Sequence, residues 1–175
     1  LKKGLDLLIP ALKNLADSGI NFHFVLAGSN PQDPEYEKKI RSQVLAALPD
    51  KVTITGFVTG DRKFSLLQNA DLFVLPSYYE NFGIAVVEAM AAGTPVCISR
   101  GVYIWEDILT AEAGWVCDQT VASLTESLRL ALQDSAEIQR RGLKAKELTI
   151  KNYSWQAIAE QTIQAYQQII SSSSN

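Results

Sequence analysis

Apolar positions recur along the chain with two alternating periods. Leu5, Leu8, Leu12 and Leu15 stand at helical spacing, which predicts a helix that buries one face. Pro10 lies inside that run and predicts a kink or a split, and Ser18-Gly19 ends it. Residues 22–27 (FHFVLA) then read as a strand closed by Gly28. Residues 31–34 are turn-rich, 35–48 are helical again, and 52–57 (VTITGF) read as a second strand. Asp61 is a candidate cap for a short helix ending near residue 68. Residues 72–75 (LFVL) make a compact apolar strand closed by Pro76. A polar loop at 77–82 leads to a helix over 83–92, with Gly93 placed to stop it. Residues 95–99 (PVCIS) are another strand, and 115–117 a short further apolar segment. From Val121 onward the pattern is helical, at 124–132, 136–151 and 155–170, before a serine-rich tail.

Short strands rich in Val, Ile, Leu and Phe, each separated from the next by a helix, predict an α/β fold. The expected architecture is a three-layer, doubly wound parallel sheet covered on both faces, with a helical C-terminus. No repeat and no long linker divides the 175 residues, so they read as a single domain. Such sheets bind ligands beyond the carboxyl ends of their strands. The functional residues are therefore expected just after Ala27, Phe57, Leu75 and Ser99.

Composition narrows the function classes. Lys and Arg total 16 against 19 Asp and Glu, a net charge of -3. That balance gives no support to a nucleic-acid footprint, which needs a basic face. Cys97 and Cys117 lie in apolar runs and read as small buried thiols rather than a disulfide framework. No stretch has the roughly 20 continuous apolar residues that a bilayer span requires. No secretory leader pattern is visible, and a chain that opens at Leu1 reads as a piece of a longer protein. No His, Cys or Asp cluster has metal-ligand spacing, so no metal is expected.

The segment from Pro76 to Val96 carries the chemistry. A strand ends, a loop brings Glu80, and a helix opens near Gly83. The first amides of that helix have no intrahelical partner and suit a phosphate. Gly83, lacking a Cβ, would let backbone approach the anion. Glu88 is the only charged residue between Ile84 and Ala92, on a helix otherwise apolar and therefore expected to be buried. A carboxylate there needs donors. Ribose hydroxyls would supply two; a core Arg or Lys, or a solvent-facing stripe, would serve as well.

Glu80 through Glu88, followed by Ala-Met-Ala-Ala-Gly-Thr-Pro-Val, resembles the E-x7-E signature of retaining glycosyltransferases of the GT-B fold, particularly family 4. The chain is similar to their carboxyl-terminal, nucleotide-sugar-binding domain. Lys2-Lys3-Gly4 resembles the opening of that domain's first helix, and residues 24–28, 52–58 and 70–77 resemble its following strands. Tyr153-Ser154-Trp155 resembles its closing element before the last helix. The resemblance runs in order along nearly the whole chain.

The resemblance implies a role for each matching position. Lys3 would neutralise the diphosphate, and Glu80 would bind donor-sugar hydroxyls; these two are the candidate catalytic residues. The amides of Phe82, Gly83 and Ile84 would cradle the phosphate, with Asn81 beside them. Glu88 would hold the ribose, and Gly56, Phe57 and Val58 would border the base. It implies a nucleotide-sugar donor, transfer of a hexosyl group to a glycan, lipid or other acceptor, and no metal or other cofactor. The acceptor would sit on an amino-terminal domain that these residues do not include, so the chain alone is expected to transfer no sugar. A cytoplasmic protein is implied, with room for peripheral membrane association at full length.

Two departures from the family pattern stand out. Relatives carry a strand and a Gly-Arg pair upstream of Lys2, and that strand would lie between the segments at 22–27 and 72–75. The expectation is an open slot there rather than direct pairing. Where many relatives show Gly-Gly-x-Pro-Glu, this chain has Arg100-Gly101-Val102-Tyr103-Ile104-Trp105-Glu106. Arg100 reads as a phosphate contact or a surface charge. His23 falls in a strand, away from the crevice. A non-catalytic nucleotide-binding or regulatory module on the same fold is the alternative function. An epimerase or phosphorylase would be expected to carry other catalytic groups.

Overall fold

The computed structural model describes residues 2–172. Helix α1 (Leu5–Asp17) turns its leucines inward and runs unbroken through Pro10, which sits on the exposed side. Strand β1 (Phe24–Ala27) follows, then α2 (Pro34–Ala47), whose N-cap Asp33 accepts from the Tyr36 amide at 3.0 Å. Strand β2 (Val52–Gly56) leads to α3 (Gly60–Gln68) and β3 (Phe73–Leu75). Thr59, not Asp61, occupies the N-cap of α3; Asp61 falls in the first turn, where its charge complements the helix dipole.

Helix α4 (Ile84–Ala91), β4 (Val96–Ser99), α5 (Trp105–Thr110) and β5 (Gly114–Cys117) come next. Helices α6 (Val121–Gln133) and α7 (Ser135–Leu148) precede a π-helical turn at Thr149–Tyr153 and the long α8 (Trp155–Ser172). The six-residue α5 was not foreshadowed by the apolar pattern, and its N-cap, Ile104, offers no side-chain bond.

All strand pairs are parallel. β1 pairs with β2, and β3-β4-β5 form a second sheet in that order. β1 and β3 share no ladder, as expected for a slot between them. Alternation along β4 builds two cores. Cys97 faces the core of α1 and α6, with Leu12, Leu15, Leu124 and Leu128. Val96 and Ile98 face the other core, with Val86 and Met90 of α4, Ile108 of α5 and Ala145 of α7. Phe73 and Leu75 follow Val96, and Val74 follows Cys97. Helices thus cover both faces of the three-stranded sheet.

The two-stranded sheet departs from the expectation of two covered faces. Phe24 and Leu26 pack on α1 and α2, while Val25, between them, is 41% exposed. Cys97 and Cys117 are both buried free thiols on neighbouring strands, and the bond from Cys117 together with burial pushes the Cys97 thiol up.

Candidate functional site

The start of α1 is clamped onto the loop after β3. Gly4 caps the helix in the left-handed region, φ 69°, and its carbonyl accepts from the Leu7 and Leu8 amides. A Cβ at Gly4 would stand 2.0 Å from the Pro76 carbonyl oxygen, so only glycine lets the two backbones meet. The Tyr78 amide donates to the Lys2 carbonyl at 2.9 Å. The Tyr78 hydroxyl donates to Asp6 Oδ2 at 2.7 Å, a bond that raises its pKa.

That clamp brings Lys3 and Glu80, 77 residues apart, into contact. Lys3 Nζ donates to Glu80 Oε2, and Lys2 Nζ lies 4.0 Å from Oε1. The Glu80 side chain is only 16% exposed, against 55% for Lys3. An ammonium carries three donors, so the bond to Glu80 leaves two for an anion. The backbone of Glu80 is fixed too. Its amide donates to the Gly101 carbonyl at 2.9 Å, and its carbonyl accepts from the Tyr103 amide at 3.0 Å.

Asn81 and Phe82 are exposed, and Gly83 is the buried N-cap of α4 at φ 82°. A Cβ on Gly83 would sit 3.2 Å from both Val102 Cγ1 and Val86 Cγ2. The requirement for glycine here is therefore backbone conformation and packing, rather than approach to an anion. Among the described residues the Phe82, Gly83 and Ile84 amides make no hydrogen bond. They remain available to an anion at the positive end of α4.

Helix α4 is not buried all round. Val86, Ala89 and Met90 are enclosed, while Ile84 is 69% exposed and the Glu88 side chain 37% exposed. The physical reason is its position: one side packs on β3 and β4, and the opposite side borders open solvent. Glu88 is held by Lys63 of α3, whose Nζ donates to Oε1 at 2.6 Å. The two carboxylates of the motif thus each carry a lysine, from different elements. Gly56, at φ 69°, ends β2 and accepts from the Gly28 amide at 2.8 Å; Phe57 beyond it is 74% exposed and Val58 half-buried.

Beside Glu80 opens a cavity of about 760 Å³, lined on its far side by α5 and the segment leading into it. Arg100 stands at its edge, the guanidinium 4.4 Å from the Trp105 ring centroid and Nε 3.1 Å from Asp118 Oδ1. Arg100 is thus a partnered charge on the cavity wall. Tyr153, in the π-helical turn, meets the Phe82 ring edge-on at 5.6 Å and donates its hydroxyl to Asp107 of α5. His23 bonds Thr53 Oγ1 at 2.8 Å on the exposed face of β1–β2, away from this region. Among the described residues no group of three His, Cys, Asp or Glu is placed to hold a metal.

Sequence reasoning missed Lys63, α5 and the contacts by which Tyr153 reaches Asp107 and Phe82. Lys63 looks like any surface lysine of a short helix, and nothing in its spacing points to Glu88.

The pattern of the glycosyl transferases group 1 family matches residues 1–148. The chain belongs to that family. A glycosyltransferase of Methanocaldococcus jannaschii, itself uncharacterized, is 34% identical over 166 residues, which cover 94% of this chain and 42% of the relative. The glycogen synthase of Mycobacterium tuberculosis is 32% identical over 167 residues, covering 94% and 39%. This group 1 chain therefore spans about two fifths of the length of those curated relatives. Sucrose-phosphate synthase from Thermosynechococcus elongatus superposes with a TM-score of 0.82 at 30% identity, covering 98% of this chain and 43% of that one. The C-terminal domain of a group 1 protein from Francisella tularensis shares the fold, with a TM-score of 0.76 at 23% identity, covering 88% and 81%. The group 1 fold is thus α/β with parallel sheets and a helical C-terminus, and its structural neighbours are GT-B glycosyltransferases.

Proposed function

We propose that this chain is the carboxyl-terminal, donor-binding half of a retaining family 4 glycosyltransferase working in the cytoplasm. It would bind a nucleoside diphosphate sugar without a metal and present the hexosyl group to a glycan or lipid acceptor held largely by another domain. The observation that carries this reading is Lys3 held on Glu80, two residues before the free amides that open α4. Cation and helix end both favour a diphosphate, while the poorly exposed carboxylate favours sugar hydroxyls. In such a site electrostatics does the catalytic work. Lys3 and the amides of Phe82, Gly83 and Ile84 stabilise the charge that develops on the departing diphosphate. Glu80 and Asn81 orient the sugar, Glu88 holds the ribose, and Gly56, Phe57 and Val58 border the base. Without the domain that completes the cleft and excludes water, the chain binds its donor and transfers nothing.

Calorimetric titration with UDP, GDP, ADP and inorganic pyrophosphate tests this. One nucleotide should bind, and Lys3→Ala should weaken both that nucleotide and pyrophosphate. Glu80→Gln should weaken the matching nucleotide sugar while sparing the bare nucleotide. If no nucleotide and no pyrophosphate binds, the reading is wrong.

A further inference from the structure

Helix α3 opens with charges that its own dipole does not favour. Asp61 suits the positive end of the helix, but Arg62 and Lys63 beside it do not. None of the α3 residues is enclosed. The far end of the helix is secured without Lys63: Leu67 packs on the core shared with α4, and its carbonyl accepts from Thr94 Oγ1. The near end reaches α4 through Lys63, whose Nζ donates to Glu88 Oε1 at 2.6 Å. Both side chains of that pair are more than a third exposed, so it adds little to folding. Neither helix propensity nor stability accounts for a lysine at this position.

What the pair does is order a carboxylate. A glutamate on an open helix face samples several rotamers, and a ligand that uses it must freeze one of them on binding. Lys63 freezes it beforehand. Lysine suits this task better than arginine would, because a compact ammonium engages one oxygen whereas a guanidinium fork takes both. Glu88 Oε2 accordingly has no hydrogen bond among the described residues. Ile84 and Glu88 stand one turn apart on the open side of α4, about 6 Å along its axis. The carboxylate is thus mounted one turn beyond the free amides that open the helix.

We propose that Lys63 is a positioning residue for nucleotide recognition: it holds Glu88 in the rotamer that meets the ribose hydroxyls and leaves Oε2 free to accept from them. The proposal rests on the donor-binding reading, in which the diphosphate sits at those amides and Glu88 takes the ribose. Within that reading two separate units hold the nucleotide. Lys3 and the opening of α4 hold the diphosphate, and Lys63 with Glu88 holds the nucleoside. Because Lys63 acts through Glu88, its effect depends on the hydroxyls of the ribose and not on the phosphates.

Calorimetric titration of the whole chain tests this with the tightest binder among UDP, GDP and ADP, with the 2′,3′-dideoxy counterpart of that nucleotide, and with inorganic pyrophosphate. The unsubstituted chain should prefer the ribonucleotide to the dideoxy form by about tenfold or more. Lys63→Met should weaken the ribonucleotide by about three- to tenfold, and the dideoxy form and pyrophosphate by less than about twofold. In a Glu88→Ala background the same substitution should change ribonucleotide affinity by less than about twofold, since the side chain it positions is gone. Three results would each overturn the proposal: no loss, a loss shared equally by the ribonucleotide and the dideoxy form, or a loss that persists in Glu88→Ala. The second would make Lys63 a staple between helices, and the third a direct contact. Equal binding of the ribonucleotide and the dideoxy form by the unsubstituted chain would remove the ribose role of Glu88 and this inference with it. A chain that binds neither nucleotide nor pyrophosphate would defeat the donor-binding reading itself.

Discussion

Lys63 Nζ donates to Glu88 Oε1 at 2.6 Å, so the second carboxylate of the E-x7-E segment already has a protein partner. Both side chains are more than a third exposed, and an ion pair of that kind contributes at most about 1 kcal/mol. The pair holds the carboxylate in place without closing it off, since Oε2 remains open to a further donor.

Glu88→Ala is therefore expected to leave folding stability within about 1 kcal/mol. It should weaken nucleoside diphosphate binding by about 1.5–3 kcal/mol, the range for a hydrogen bond to a charged group, and spare inorganic pyrophosphate. Calorimetry with both ligands checks this. Equal losses for the two would remove the ribose role, and a large fall in thermal stability would make Glu88 a structural residue.

Gly4→Ala faces two penalties, a positive φ and a clash with the Pro76 carbonyl. The expected cost is about 2–3 kcal/mol, a fall in Tm of roughly 5–10 °C, with weaker pyrophosphate binding because Lys3 is displaced. Gly19→Ala, at φ +79° but with nothing within 4 Å, is the control and should cost about half as much. Equal thermal shifts for the two would show that the Pro76 contact is not what demands glycine at position 4.

Tyr153 joins the π-helical turn to Asp107 and Phe82. Burial, then the Asp107 bond, pushes its phenol well above 10. A raised pKa favours the protonated folded form, so this stability is fully present below pH 10 and is lost as pH rises above it. Tyr153→Phe keeps the edge-on ring contact and should cost about 1 kcal/mol at neutral pH. It should also flatten the alkaline limb of the stability curve, measured by denaturant melts between pH 8 and about 11. An unchanged alkaline limb would dismiss the Asp107 bond.

Glu137 is held by Arg140, then Arg141, and its pKa is lowered from 4.5 to about 2. Arg141 also lies over the Trp115 ring at 4.7 Å, so this pairing ties α7 to β5. A depressed carboxylate contributes stability above its unfolded pKa, lost as pH falls from about 4.5 towards 2. After solvent screening the contribution is about 1 kcal/mol. Glu137→Gln should lower stability at pH 7 and show a shallower acid transition by circular dichroism. Parallel curves for both proteins would remove Glu137 as the source.

Much of the molecule was legible from one-dimensional pattern. Leucines at helical spacing located α1, and compact apolar runs located four strands and marked the fifth as a short apolar segment, because burial on a helix or strand imposes its period on neighbouring residues. The loop carrying Glu80 and the helix opening at Gly83 were equally plain, since a strand end, a polar loop and a helix start are local events. Pro10 misled, because its position on the exposed side of α1 lets the helix continue. Helix α5 escaped, being six residues long with no capping side chain. What required the tertiary structure was every relationship that depends on separation along the chain. The bond from Lys3 to Glu80 exists because Gly4 and Pro76 pack backbone against backbone. The partner of Glu88 comes from a different helix, and the contact between Phe82 and Tyr153 joins residues 71 positions apart. Whether α4 is enclosed or half open depends on which elements lie across from it. Spacing records a residue's neighbours along one element; only the packing of elements decides which charges meet, which amides stay free and which faces remain open to a ligand.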